Sequence, residues 1–180
     1  MKNNKGFSLV ELIIVIAILS VLTGVSAVGL GYLYSTNVKS SIKKVDSSLQ
    51  KVQSYTVSKS VGGKDIGLKL KKKADGFYAE YMGIPNLSEE KFGEKNLKVY
   101  YMDSTGAGWT EVTAVNDLKV YYDRATGGLQ PLSGTGSSAI YISKIRLTTS
   151  SDANAVNDAS KCCTVEISKI TGKTTVTVYQ

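Results

Sequence analysis

The chain has 180 residues, which bounds it to one globular domain with an appendage. A hydrophobic content of 42% and a charged content of 21% supply a core and exclude a wholly disordered chain. There is no histidine, so the commonest general base and metal ligand are missing, and the two cysteines, Cys162 and Cys163, are adjacent, which excludes a disulfide framework and a CxxC site.

The first element is apolar. After "MKNNKG" residues 7–33 are nearly all apolar, and about 20 such residues in a helix cross the hydrocarbon of a bilayer. Lys2 and Lys5 precede the run, so the positive-inside rule puts the N-terminus in the cytoplasm and the body outside. One carboxylate, Glu11, interrupts it. A charge near the bilayer centre costs on the order of 3 kcal/mol on translocon scales, so such residues are usually paired or functional. A secretory signal peptide accounts for the basic start and for "VSA" at 25–27, a small-residue cleavage site. A plain membrane anchor accounts for the length. Neither accounts for Glu11.

The stretch "KGFSLVELIIVIAIL" resembles the class III signal of type IV prepilins and pseudopilins. The resemblance covers about the first 30 residues and depends on Gly6, Phe7 and Glu11 at fixed offsets before a long apolar run. It implies a leader of residues 1–6, cleaved by a membrane prepilin peptidase between Gly6 and Phe7. It implies N-methylation of Phe7 and a part for Glu11 in subunit assembly. Cleavage would create an amine four residues before Glu11. In an apolar filament core, that amine of a neighbouring subunit can pair the carboxylate, and an unpaired one is strongly disfavoured. A buried polar pair of this kind sets register in coiled coils. The resemblance also implies a single-pass membrane precursor, an extracellular filament of identical or related subunits, and an assembly ATPase and a membrane platform protein as partners. Gly24, Gly29 and Gly31 read as small residues for close helix packing.

Residues 7–34 are expected as the membrane or filament-core half of one helix, and residues 35–60 as its amphipathic half. Val38, Ile42, Val45, Leu49 and Val52 recur at spacings of 4, 3, 4 and 3, one apolar stripe on a helix face. "VGGK" at 61–64 is the stop. A helix over 7–59 is roughly 80 Å long at 1.5 Å per residue.

The net charge of +7 belongs to one segment: between residues 39 and 73 ten lysines face two aspartates, whereas from residue 74 onward ten basic residues face twelve acidic ones. The run reads first as a solvated helix face and loop. Its densest part, Lys69, Lys71, Lys72 and Lys73, is also a candidate basic patch for an acidic subunit face, lipid headgroups or DNA.

Residues 61–180 are expected as a globular β-rich body. "NLKVYYMD", "GWTEVTAV", "DLKVYYD", "AIYISKIRLTT", "CTVEISKI" and "TTVTVYQ" read as strands, the last two as a hairpin turning at 171–173. "NLSEEKF" at 86–92 reads as a short helix with Asn86 and Glu89 at capping-box spacing. "LKVYYMDSTGAG" from Leu97 echoes "LKVYYDRATGGL" from Leu118, and two adjacent tyrosines on a strand point to opposite faces. In "CCTVEISKI" alternation puts Cys163, Val165 and Ile167 inward and Cys162 on the other face, partly exposed and available for an intersubunit bridge in an oxidising setting. Asp152, Asn154 and Asp158 in a polar loop are oxygen ligands of the kind calcium takes, though EF-hand spacing fails.

The fold class expected is α+β, with the long N-terminal helix packed on a C-terminal antiparallel sheet in a pilin-like plan. No nucleophile elbow or phosphate loop is present, so the chain reads as a non-enzyme without a cofactor, calcium aside. The function implied is a pilus subunit acting in adhesion, motility or DNA uptake. A pseudopilin of a type II secretion or competence system and a membrane-anchored binding module that never polymerises are the alternatives.

Overall fold

The computed structural model describes residues 9–58, 66–149, 154–158 and 162–178, with helical side chains described at 9–23 and 36–58. Gly6, Phe7, the helix stop at 61–64 and Asp152 lie outside what is described, and so do the surroundings of the glycines at 24, 29 and 31 within α1. One helix, α1, spans Leu9–Ser58. By internal contacts the chain forms two units, Met1–Thr36 and Asn37–Gln180.

In the first unit the described residues are helical. Among the described residues no helix is long and apolar enough to cross a membrane. The expected span of 7–34 lies partly outside them.

The second unit begins with the rest of α1. Its stripe is the one read from the sequence: Val38, Ile42, Val45, Leu49 and Val52 are all fully buried. They join one hydrophobic cluster with residues from seven of the nine strands described. The strands are β1 (Gly67–Lys73), β2 (Gly76–Met82), β3 (Glu90–Glu94), β4 (Lys98–Asp103), β5 (Thr110–Glu111), β6 (Leu118–Tyr121), β7 (Ile142–Thr148), β8 (Cys163–Ile167) and β9 (Thr174–Thr177). Every pairing is antiparallel. The α+β class holds, but the strands form two sheets, ordered β3-β2-β1-β6 and β5-β4-β7-β8-β9.

The first sheet is where sequence and structure part most. "GLKLKKK" is strand β1, not loop: Leu68 and Leu70 are fully buried and Lys69 and Lys71 point away. The period is two, the spacing of a half-buried strand. The short helix expected at 86–92 is absent; strand β3 takes up its end. Asn86 lies at φ 64°, a left-handed turn conformation, so it cannot serve as an extended N-cap. The strand sends Phe92 inward, where its ring centroid is 6.0 Å from that of Phe77.

The echoed segments fall in different sheets, β4 in the second and β6 in the first. Both end on the same device. Asp103 Oδ1 accepts from the Thr105 amide and hydroxyl, and Asp123 Oδ1 from the Ala125 and Thr126 amides and the Thr126 hydroxyl. An aspartate bonding the backbone two residues on initiates a turn. Tyr122 is buried and Tyr121 half-exposed, as alternation requires, while Tyr100 and Tyr101 are both half-buried. Strand β5 is only two residues long. Gly106 (φ 71°) leads into it, and a turn follows in which the Thr113 hydroxyl accepts from the Asn116 amide.

The hairpin β8–β9 turns where expected, with Ile167 paired to Thr174. Cys163 is buried as alternation places it, but Cys162 is buried too, at 2% exposure. A single 3-10 turn, Ala155–Asn157, covers that face, and the Cys162 thiol donates to the Ala155 carbonyl at 3.0 Å. Partial exposure of Cys162 was a wrong expectation, and so is a bridge that needs it at the surface. Neither cysteine forms a disulfide.

Candidate functional site

The first described stretch of α1, residues 9–23, has no polar face. Val10, Leu12, Ile13, Ile14, Val15 and Ile16 are each more than half exposed. Successive helical residues lie 100° apart, so this run covers the whole circumference. The hydroxyls in the segment turn inward on the backbone: Ser20 donates to the Ile16 carbonyl and Thr23 to that of Leu19, each at 2.8 Å. That satisfies them without water. Glu11 is exposed and stands in the first turn of α1 as described. What surrounds this segment must be apolar, and it must tolerate a carboxylate at one level.

The lysines of β1 do not form an open basic patch. Lys69 is 3.0 Å from Asp117 and 3.9 Å from Glu80. Lys71 lies between Glu80 at 2.6 Å and Glu89 at 2.8 Å. Lys73 pairs with Glu89 and lies over the Tyr78 ring. Lys72 is over the Phe77 ring, 5.4 Å from its centre. The hydrogen bond to Glu80, then that to Glu89, hold the Lys71 ammonium above its usual range. Lys71 and Lys73 in turn hold Glu89 below the usual carboxylate range. The outer face of the first sheet is therefore a ladder of alternating charge. A nucleic-acid backbone binds by pairing its phosphates with lysines and releasing counterions. Here it would have to displace carboxylates already in place.

The polar loop places Asn154 and Asp158 on either side of the 3-10 turn. Among the described residues no group of three acidic or sulfur side chains could hold a metal ion. Arg146 already brings a cation there: its guanidinium donates to the Val156 carbonyl and to Thr164 Oγ1, and stacks 4.3 Å from the Trp109 ring centre.

A polar seam that the sequence does not mark runs beside the apolar stripe of α1. Gln53 Nε2 donates to the carbonyls of Gly127, at 2.8 Å, and Thr171, at 2.6 Å. Gln50 Nε2 donates to Asp46 Oδ2 at 3.0 Å and to Thr174 Oγ1 at 3.3 Å. These bonds fasten the helix to the β6 turn and to the β8–β9 hairpin. The only hint in the sequence was their spacing, 46, 50 and 53, on one side of the stripe.

Residues 1–27 match the family described as the prokaryotic N-terminal methylation motif, the class III signal of type IV pilins and pseudopilins. The match contains Gly6, Phe7 and Glu11. Neither a curated protein nor a solved structure matches the chain.

Proposed function

We propose that the chain is a structural subunit of an extracellular type IV pilus, made as a membrane-anchored prepilin, cleaved after Gly6, methylated on Phe7 and polymerised through α1. One observation carries this reading: Glu11 stands in the first turn of a helix whose described N-terminal stretch, residues 9–23, is otherwise apolar at most positions and exposed all round. Lipid can cover the apolar surface of a precursor, and the helices of neighbouring subunits can cover it in a filament. Only the second environment offers Glu11 a fixed cation, the amine freed on a neighbour. The methylation motif at 1–27 supports the same processing. The partners on this reading are other copies, the prepilin peptidase, an assembly ATPase and a platform protein.

The motif serves pseudopilins equally, so a subunit of a secretion or competence pseudopilus is the second reading. Intact mass and N-terminal sequence of the mature chain test the shared part: the expected product begins at methylated Phe7. A chain beginning at Val28 would instead be a secreted protein. An uncut chain would be an anchored module. Glu11→Ala is expected to be cleaved normally and to assemble poorly, and normal filaments from it would refute the pairing. Imaging separates long surface filaments from a short envelope-spanning piston.

A further inference from the structure

We propose that a cleft between α1 and strand β3 binds the phosphate of an anionic phospholipid and so docks the body onto the headgroups of the membrane that holds the precursor. The proposal rests on the reading of the chain as a membrane-anchored precursor. The cleft encloses about 290 Å³. Asn37, Ser40, Ser41 and Lys44 of α1 line one wall, at spacings that put them on one helix face. The other wall comes from β3 and the turn after it, with Lys91, Glu94 and Asn96. The recess thus gathers ammonium, hydroxyl and amide donors, the groups that phosphate oxygens accept from.

Charge separates this cleft from the lysines of β1, whose carboxylates are already in place. Lys44 is exposed, donates to the Lys91 carbonyl at 3.4 Å, and has no ion pair among the described residues. Glu94, the carboxylate of the lining, is held by Lys91 at 2.9 Å, and Lys91 also lies 3.8 Å from Asp75. Lys43 and Lys95, next to lining residues in the chain, are exposed and add positive charge nearby. The Lys44 ammonium is left to be neutralised from outside, and a phosphodiester carries one such charge. Position in the chain favours a lipid source. Lys39 is the first charged residue after Glu11, and Asn37 follows Leu33, the end of the apolar run, by four residues. However the body is turned, four residues reach at most about 14 Å. The cleft therefore begins beside the polar layer of the bilayer, which is about 5–8 Å deep on each side. Lysines at that level are drawn to anionic headgroups.

The test puts the full chain into bilayers of equal parts phosphatidylglycerol and phosphatidylcholine and counts, by native mass spectrometry, the lipids it keeps on release. Wild type is expected to retain one phosphatidylglycerol in preference to phosphatidylcholine. Lys44→Gln is expected to weaken that retention at least about tenfold, the effect of one lost charged hydrogen bond. Lys43→Gln removes the same charge outside the cleft and is expected to retain the lipid. Unchanged thermal unfolding of Lys44→Gln shows that the loss is local. Equal retention of the two lipids by wild type, or equal loss in the two variants, overturns the proposal. Displacement of the lipid by millimolar inorganic phosphate would make the cleft a site for soluble phosphate and overturn it too. Lipid retention unchanged in Lys44→Gln, with filaments lost, would assign the cleft to a carboxylate of a neighbouring subunit instead. Flotation of the chain with the vesicles keeps the two readings apart. A chain that floats without lipid preference overturns this inference alone, and one that does not float overturns the membrane-anchored precursor with it.

Discussion

Gln53 and Gly172 leave no room for a side chain at residue 172: a Cβ there would lie 2.5 Å from Gln53 Nε2 and 2.2 Å from the Gly127 oxygen. Gly172 also has φ +65°, a conformation that disfavours other residues. The helix amide and the hairpin turn therefore fit only because this residue is glycine. Gly172→Ala is expected to destabilise the body by about 2 kcal/mol, combining backbone strain of order 1–3 kcal/mol with displacement of Gln53. Thermal unfolding with near-UV dichroism measures it. An unchanged midpoint would mean that the turn relaxes freely and that the fit is loose.

Gln53 itself makes two bonds to backbone carbonyls, those of Gly127 and Thr171. Gln53→Ala is expected to cost about 2 kcal/mol, near 1 kcal/mol for each bond. Local opening should follow as well. Hydrogen exchange is expected to quicken at Gly172, whose amide donates to the Ser168 carbonyl, and at Gly127, whose amide donates to Asp123. Exchange that quickens evenly over the whole body would instead show global loss of stability, with no particular role for the seam.

The half of α1 that packs in the body was legible because its stripe is local: five aliphatic residues at helical spacing need no knowledge of their partners. The charge ladder was not legible. Lys71 and Glu80 are nine residues apart, but they meet only because β1 and β2 pair with Lys69 opposite Glu80 and Lys71 opposite Tyr78. Register of that kind is invisible in a lysine run. The same lysines concealed β1, since the inward period was carried by Leu68 and Leu70 alone. Cys162 was misjudged because its cover comes from a turn seven residues away with no strand pattern. Gln53 was overlooked because a glutamine beside an apolar stripe reads as solvent-facing. Its partners are 74 and 118 residues away.

The ladder predicts how stability responds to pH. Glu89 is held below the ordinary carboxylate range by Lys71, then Lys73. Asp123 is held below it by the Thr126 amide first. A carboxylate depressed in the folded state adds stability that is present above its unfolded pKa, about 4, and is lost as pH falls through the folded value. Lys71 is raised, so its contribution is complete below its unfolded pKa and is lost as pH rises through the folded one. The melting temperature is expected to be flat from about pH 5 to 9 and to fall on both sides. In Glu89→Gln the fall on the acid side should begin at lower pH and be shallower. An identical acid limb in that variant would show that Glu89 contributes nothing.

Lys71 holds apart two carboxylates, Glu80 and Glu89, that it also neutralises. Lys71→Gln is expected to cost about 1 kcal/mol, the upper range for a partly exposed pair. The loss should shrink in Lys71→Gln/Glu89→Gln, where one of the two facing charges is gone. A double-mutant cycle on thermal stability at low and high salt reads the coupling, and salt should weaken it. Additive losses would show that the ladder is a set of contacts without mutual support.

Cysteine chemistry separates the buried arrangement from an exposed one. Burial raises the Cys162 thiol above its ordinary pKa, which lowers the reactive thiolate, and the Ala155–Asn157 turn shields its sulfur. Cys163 is fully buried in the core. In the folded protein both thiols are expected to resist a maleimide for hours at neutral pH and to react within minutes in denaturant. Arg146 holds the turn closed through the Val156 carbonyl, so Arg146→Ala is expected to speed labelling of Cys162 and leave Cys163 protected. Mass spectrometry of the labelled peptides distinguishes the two sulfurs. Rapid labelling of Cys162 in the wild type would show that the turn opens readily, and the thiol would then be free to bridge subunits.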